Sequence, residues 1–95
     1  MISREDVVSA IGYDGNAALI DRSAKKRYGK LSTAELVKAG FFRAAAASAI
    51  YSESQDELAL VADAYNKVSL SKYPVDAIPR LFGVAKVTVA RTLTL

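Results

Sequence analysis

The chain has 95 residues, of which 52% are hydrophobic and 24% are charged, and its formal net charge is +3. This composition predicts one small globular domain and excludes a disordered chain, which would be more polar. Cysteine and histidine are both absent, which excludes disulfides, thiolate or imidazole metal ligands and histidine acid–base catalysis.

The beginning of the chain, MISREDVV, carries acidic residues early and has no long apolar core, so a secretory signal peptide is not expected. The longest apolar stretch, AGFFRAAAASAIY, is interrupted by Arg43 and is too short to span a membrane. We therefore expect a cytoplasmic protein.

Serine caps and glycine stops predict five helices along the chain. Ser32 and Glu35 have the spacing of a capping box, and Ser54 stands at the same distance before an acidic residue. Gly29 and Gly83 follow helical patterns and are expected to end them. The predicted helices cover about 4–11, 17–28, 33–51, 55–68 and 77–82.

Between the first two predicted helices, residues 13–16 (YDGN) have the composition of a turn, with Asn16 as the expected N-cap of the second helix. The stretch lacks the later acidic ligands that a calcium-binding loop needs. The second helix is then predicted to direct one face inward, formed by Leu19, Ile20, Ala24 and Tyr28.

The third and fourth predicted helices should supply most of the core. The alanine run 44–47 has high helix propensity, which offsets the cost of Gly40 in the middle of the third helix. The fourth helix has a regular apolar stripe opposite a charged face. The stripe consists of Leu58, Val61, Ala62, Tyr65 and Val68.

The end of the chain alternates two kinds of residue with the period of a strand. Over 86–95, one face would carry Val87, Val89, Arg91, Leu93 and Leu95, and the other would carry mainly threonine. A lone strand cannot satisfy its backbone hydrogen bonds. It would therefore dock on a second copy, on another protein's sheet edge or on an extended segment of the same chain. We predict that these five residues bind a partner.

The same region can also be interpreted as a helix. Residues 76–93, DAIPRLFGVAKVTVARTL, resemble the helix-turn-helix DNA-binding motif, with the apolar pair Leu81 and Phe82, the turn residue Gly83 and apolar Val84 after it. The resemblance implies that the second helix enters the major groove. It implies that Ala85, Lys86, Thr88 and Arg91 face DNA, while Val84, Val89 and Leu93 pack inside.

Charge is unevenly distributed along the chain. Five cations without an intervening acid, Arg22, Lys25, Lys26, Arg27 and Lys30, could bind phosphates, with Tyr28 available to stack on a base. They could equally form a solvated helix face that complements the helix dipole. Residues 53–63 carry four acidic residues and no basic one, so the chain is dipolar and suited to electrostatic pairing.

Nothing in the sequence has the form of an active site. No glycine-rich phosphate loop is present and no serine has an activating base beside it, so we expect neither an enzyme nor a cofactor. The sequence predicts an all-α, single-domain bundle of four to five short helices with an extended, strand-like C-terminal segment. The expected function is non-catalytic interaction or self-association, and the alternative is DNA binding through 76–93 and the basic run.

Overall fold

The computed structural model describes residues 3–84 and 89–95. This part of the chain contains six α-helices, one 3-10 turn and three strands. The elements are α1 (Arg4–Ser9), β1 (Ala10–Asp14), β2 (Ala17–Ile20), α2 (Arg22–Tyr28), α3 (Thr33–Lys38), α4 (Phe42–Ser52), α5 (Gln55–Ser69), a 3-10 turn (Val75–Ala77), α6 (Ile78–Phe82) and β3 (Arg91–Thr94).

The prediction of an all-α fold is wrong, because the helices share the domain with a mixed sheet. The strand order is β1-β2-β3. Strand β2 pairs antiparallel with β1 and parallel with β3. The protein is therefore a mixed α/β domain in which the first and last strands in sequence lie on either side of β2.

The second predicted helix, 17–28, is wrong in its first part, since 17–20 forms β2 and only Arg22–Tyr28 is helical. Gly15 has φ +61° and is followed by Asn16 in a two-residue turn. A glycine with positive φ at the first position of such a turn is typical of a β-hairpin. The stretch AALI showed no alternation because Ala17, Ala18 and Ile20 are all buried, as expected of a central strand covered on both faces.

The other helix boundaries differ for local reasons. The first predicted helix, 4–11, ends at Ser9 because Ala10 begins β1. The third, 33–51, consists of α3 and α4. Between them Gly40 has φ +85°, and the N–H groups of Gly40 and Phe41 donate to Val37 and Leu36 O at 3.0 and 2.9 Å. These bonds form a Schellman motif that ends α3.

The main core lies among α1, α3, α4, α5 and α6, and small side chains dominate it. Leu36, Val61 and Ile78 are its large fully buried residues, and most of the rest of the buried cluster is alanine from α4. A second, smaller cluster lies at the sheet and contains Ala10, Ala18 and Ile20, with Val89 packed against it. Within the described ranges, the helices are all too short or too polar to cross a membrane.

Candidate interaction site

Strand β3 lies at an edge of the sheet and has a strand neighbour on one side only within the described residues. Its register with β2 places Arg91 beside Ala17 and Leu93 beside Leu19. Leu95 N–H, directly after β3, donates to Ile20 O at 2.9 Å, and Ala90 N–H, in the bend before β3 and outside the strand alternation, donates to Asn16 O at 2.8 Å. Within the predicted extended segment, Arg91–Thr94 therefore pairs with β2 of its own chain.

The backbone of β3 has an inward and an outward side. Leu95 donates its N–H to β2, and successive residues of a strand direct their backbone groups to opposite sides. Arg91 and Leu93 therefore direct theirs toward β2, while Thr92 and Thr94 direct theirs to the free edge. Both threonines are exposed, so the edge offers donors and acceptors to a further strand. Sequence reasoning did not identify these two residues.

The side chains of β3 are exposed over the whole strand. Leu93 retains 40% and Leu95 66% of their accessible surface, and Leu93 lies next to Leu19 in the register. Among the residues predicted to bind a partner, Arg91 and Leu93 thus lie on this strand, and Leu95 follows it directly. Val89 packs instead against the small core cluster, and Val87 lies outside the described residues.

The opposite edge of the sheet, at β1, carries two features that hinder the addition of a further strand. The β1–β2 register shifts between Ala10 and Gly12, and such bulges disrupt pairing with a further strand. Arg43 Nη1 also donates to Ala10 O at 3.1 Å, while its Nε donates to Phe82 O at 3.2 Å. The Arg43 side chain of α4 thus hydrogen-bonds one of the β1 carbonyl groups.

Beside β1 is an open groove with a volume of about 330 Å³. The rings of Tyr28 and Phe41 stack in its wall with centroids 4.7 Å apart, and Arg43 is the one charged side chain of its lining. The groove is lined by Val8, Ala10, Ile11, Tyr28, Gly40, Phe41, Phe42, Arg43, Ala44 and Phe82. It is an apolar concavity next to the β1 edge.

The predicted basic site lies on and just after α2. Asp21 caps this helix by accepting from the N–H groups of Ser23 and Ala24 at 3.0 and 3.3 Å. Lys25 Nζ lies 2.7 Å from Asp6 Oδ1; the hydrogen bond to Asp6, and then its charge, raise the pKa of Lys25. The other four predicted cations, Arg22, Lys26, Arg27 and Lys30, are exposed.

The structure does not bring Arg91 to this basic run. Arg91 pairs with Ala17 at the beginning of β2, whereas α2 follows the end of that strand at Ile20. Ala17 and Ile20 are three residues apart along β2, so their Cα atoms are about 10 Å apart. The other residues that the resemblance places against DNA, Ala85, Lys86 and Thr88, lie outside the described residues.

A group of hydrogen-bonded polar side chains lies within the helical layer, and no sequence pattern indicated it. Arg4 Nε donates to Ser48 Oγ at 3.0 Å, and Ser48 Oγ lies 2.8 Å from Thr33 Oγ1, which also hydrogen-bonds Glu57. These hydrogen bonds link α1, α4, α3 and α5. None of the described residues forms a cluster of acidic side chains that could hold a metal ion.

Where the structure describes them, the residues of the helix-turn-helix resemblance, 76–93, include a helix, a glycine turn and part of a strand. Helix α6 ends at Gly83, which has φ +67° as a sharp turn requires. Val89 is not helical and Arg91–Thr94 is a strand, although the resemblance would place both in the second helix. No protein-family model, curated protein or solved structure matches the chain.

Proposed function

We propose that the protein is a non-catalytic self-association module in which the outer edge of β3 pairs with another copy of the chain. The observation that carries the proposal is the outward direction of the Thr92 and Thr94 backbone on an exposed edge strand. Unpaired edges are templates for adding a strand, and monomeric proteins commonly block them with charges, proline or bulges.

The two edges of the sheet differ in this respect, which favours β3. The β1 edge carries a bulge and an arginine bound to Ala10 O. Strand β3 has Arg91 at its beginning and then a threonine–leucine alternation with no proline or acidic residue. Threonine and leucine support cross-strand contacts, so the residues that follow Arg91 on β3 favour pairing with a further strand.

The test removes an outward backbone N–H group of β3 and keeps the inward ones. Thr92→Pro removes an outward N–H and leaves the bonds from β3 to β2 in place, since proline is tolerated where the N–H faces away from the ladder. Thr92→Val is the matched control because it changes the side chain and keeps the N–H. Mass is measured by light scattering coupled to size-exclusion chromatography over a range of concentrations.

We expect a mass above the 10.2 kDa of one chain for the natural protein and for Thr92→Val. Thr92→Pro should be a monomer with the circular dichroism of the natural protein. A natural protein that is monomeric at every concentration would overturn self-association. An assembly that survives Thr92→Pro would show that another surface forms it.

DNA binding is the alternative, and the observation that favours it is the group of four exposed cations on and after α2. Phosphate contacts make affinity fall as salt rises. We expect salt-dependent binding to duplex DNA that weakens when Lys26 and Lys30 are changed to alanine. Lys67→Ala on α5, at an exposed cation away from this group, is the control. Equal affinity for all these proteins would exclude the basic run as a DNA site.

A further inference from the structure

We infer that the assembly is a closed dimer in which β3 of two copies pairs antiparallel about a two-fold axis at Leu93. This inference rests on the proposed self-association and names its geometry. It would join the two sheets into one continuous sheet in which both β3 strands become internal. The β1 strands would remain as the outer edges.

Backbone geometry selects the antiparallel direction. Two parallel strands must be staggered so that an N–H meets a C=O. A two-fold axis along the strands permits no stagger, because it places each residue opposite itself. An axis perpendicular to the sheet makes the strands antiparallel and lets outward-facing residues exchange both of their hydrogen bonds.

Hydrogen bonding then selects the register. The outward backbone groups belong to Thr92 and Thr94, so each must lie opposite Thr92 or Thr94 of the second copy. With Leu93 on the axis, Thr92 pairs with Thr94 of the second copy at both ends, and every outward group of these residues is bonded. An axis at Thr92 or at Thr94 would pair only that residue with its own symmetry mate and leave the other threonine without an equivalent partner.

The side chains agree with this register. Arg91 lies opposite Leu95 of the second copy, so no like charges meet across the pair. Threonine pairs with threonine, which is a favourable cross-strand combination. Leu93 meets Leu93 of the second copy on the face where Leu93 already neighbours Leu19. The exposed apolar surface of Leu93 would then be covered by its own symmetry mate.

The chain has no natural cysteine, so single-cysteine variants report on this geometry directly. Leu93 and its mate form a non-hydrogen-bonded antiparallel pair, with Cα atoms about 4.5 Å apart, which is within disulfide range. Leu93→Cys should therefore give a disulfide-linked dimer on mild oxidation. Leu60→Cys is the control, since Leu60 lies on α5 and is 41% exposed, against 40% for Leu93.

A mixed pair of variants tests the register without altering Leu93. Arg91→Cys and Leu95→Cys place a thiol two residues from the axis, so each is about 13 Å from its own mate and cannot form a disulfide with it. Mixed together, the two variants should form a disulfide-linked heterodimer, because Arg91 lies opposite Leu95 of the second copy. Each variant alone should remain unlinked.

The outcomes distinguish the inference from the proposed function. Faster cross-linking of Leu93→Cys than of Leu60→Cys, together with the mixed Arg91→Cys and Leu95→Cys disulfide and a mass of two chains, supports both. A Thr92→Pro-sensitive assembly in which Leu93→Cys cross-links no faster than Leu60→Cys overturns the Leu93 axis and leaves self-association standing. Assemblies larger than two chains overturn the closed dimer. A monomeric natural protein overturns both.

Discussion

The hydroxyl oxygens of Ser48 and Thr33 lie 2.8 Å apart in the interior of the helical layer. Ser48 is fully buried on α4, and Thr33 is the first residue of α3. Arg4 Nε donates to Ser48, and Thr33 hydrogen-bonds Glu57. The contact is therefore the centre of a polar chain that runs from a cation on α1 to a carboxylate on α5, through a core otherwise made largely of alanine.

Ser48→Ala should destabilise the fold by about 1–3 kcal/mol, because Arg4 and Thr33 lose a hydrogen-bond partner in a buried place. Ser52→Ala, at an exposed serine of the same helix, should change the free energy of unfolding by less than about 0.5 kcal/mol. Urea unfolding measures both. Equal effects of the two substitutions would show that the polar chain adds nothing to stability.

Gly15→Ala should destabilise the hairpin by about 1–2 kcal/mol, which is the cost of a left-handed conformation for a residue with a Cβ atom. Gly15 has φ +61° and a Cβ at this position would meet no atom within 4 Å, so the loss comes from the backbone alone. Asn16→Ala is the control, since Asn16, the second residue of the turn, does not have positive φ. A Gly15→Ala variant as stable as Asn16→Ala in urea unfolding would contradict the turn conformation.

Leu70→Gly should stabilise the protein by about 1 kcal/mol, because Leu70 ends α5 in a left-handed conformation with φ +56° that glycine adopts freely. Its side chain is 93% exposed, so little packing is lost. Val68 lies two residues before Leu70, inside α5, and Val68→Gly should instead lower the free energy of unfolding by about 1 kcal/mol. Thermal unfolding checks both variants. A lower melting temperature for Leu70→Gly than for the natural protein would contradict the expected stabilisation.

The capping box of α3 predicts a pH dependence. Glu35 accepts a hydrogen bond from Ser32 N–H at 3.0 Å, and this bond, followed by the Ser32 side chain, lowers the pKa of Glu35. A carboxyl whose pKa is lower in the folded state contributes stability above its unfolded pKa. That contribution is lost as pH falls through the folded pKa.

We therefore expect Glu35→Gln to weaken the fall in melting temperature between neutral pH and acid, since glutamine keeps a capping side chain that does not titrate. Ser32→Ala should weaken the same fall by removing one of the bonds that lower the pKa. Melting curves across this pH range provide the measurement. An acid dependence as steep as that of the natural protein in both variants would contradict a role for the capping box.

Some elements follow from local sequence. The Ser32–Glu35 capping box occurs where the sequence placed it, and α5 begins after Ser54 and ends one residue later than predicted. At the end of the chain, alternating residues favoured a strand, and β3 forms at Arg91–Thr94. Caps and residue alternation act over a few positions, so they can be recognised without knowledge of the remaining fold.

The interaction site needed the tertiary structure, because its features depend on which strand lies beside β3. The sequence indicated an extended tail with Leu93 and Leu95 on one face, but docking within the chain or on another chain remained open. Pairing with β2 decides that Thr92 and Thr94 direct their backbone outward. Pairing also places Arg91 away from the basic run on α2.

The sequence by itself determined the size of the domain, the absence of cysteine and histidine chemistry, the capped helices and the strand character of the tail. Only the tertiary structure decided that 17–20 is a strand. In isolation, AALI is compatible with a helix, and it becomes a strand because β1 and β3 bond to its two edges while Ala17, Ala18 and Ile20 are buried. Long-range hydrogen bonds outweigh the weak local preference of such a short apolar segment.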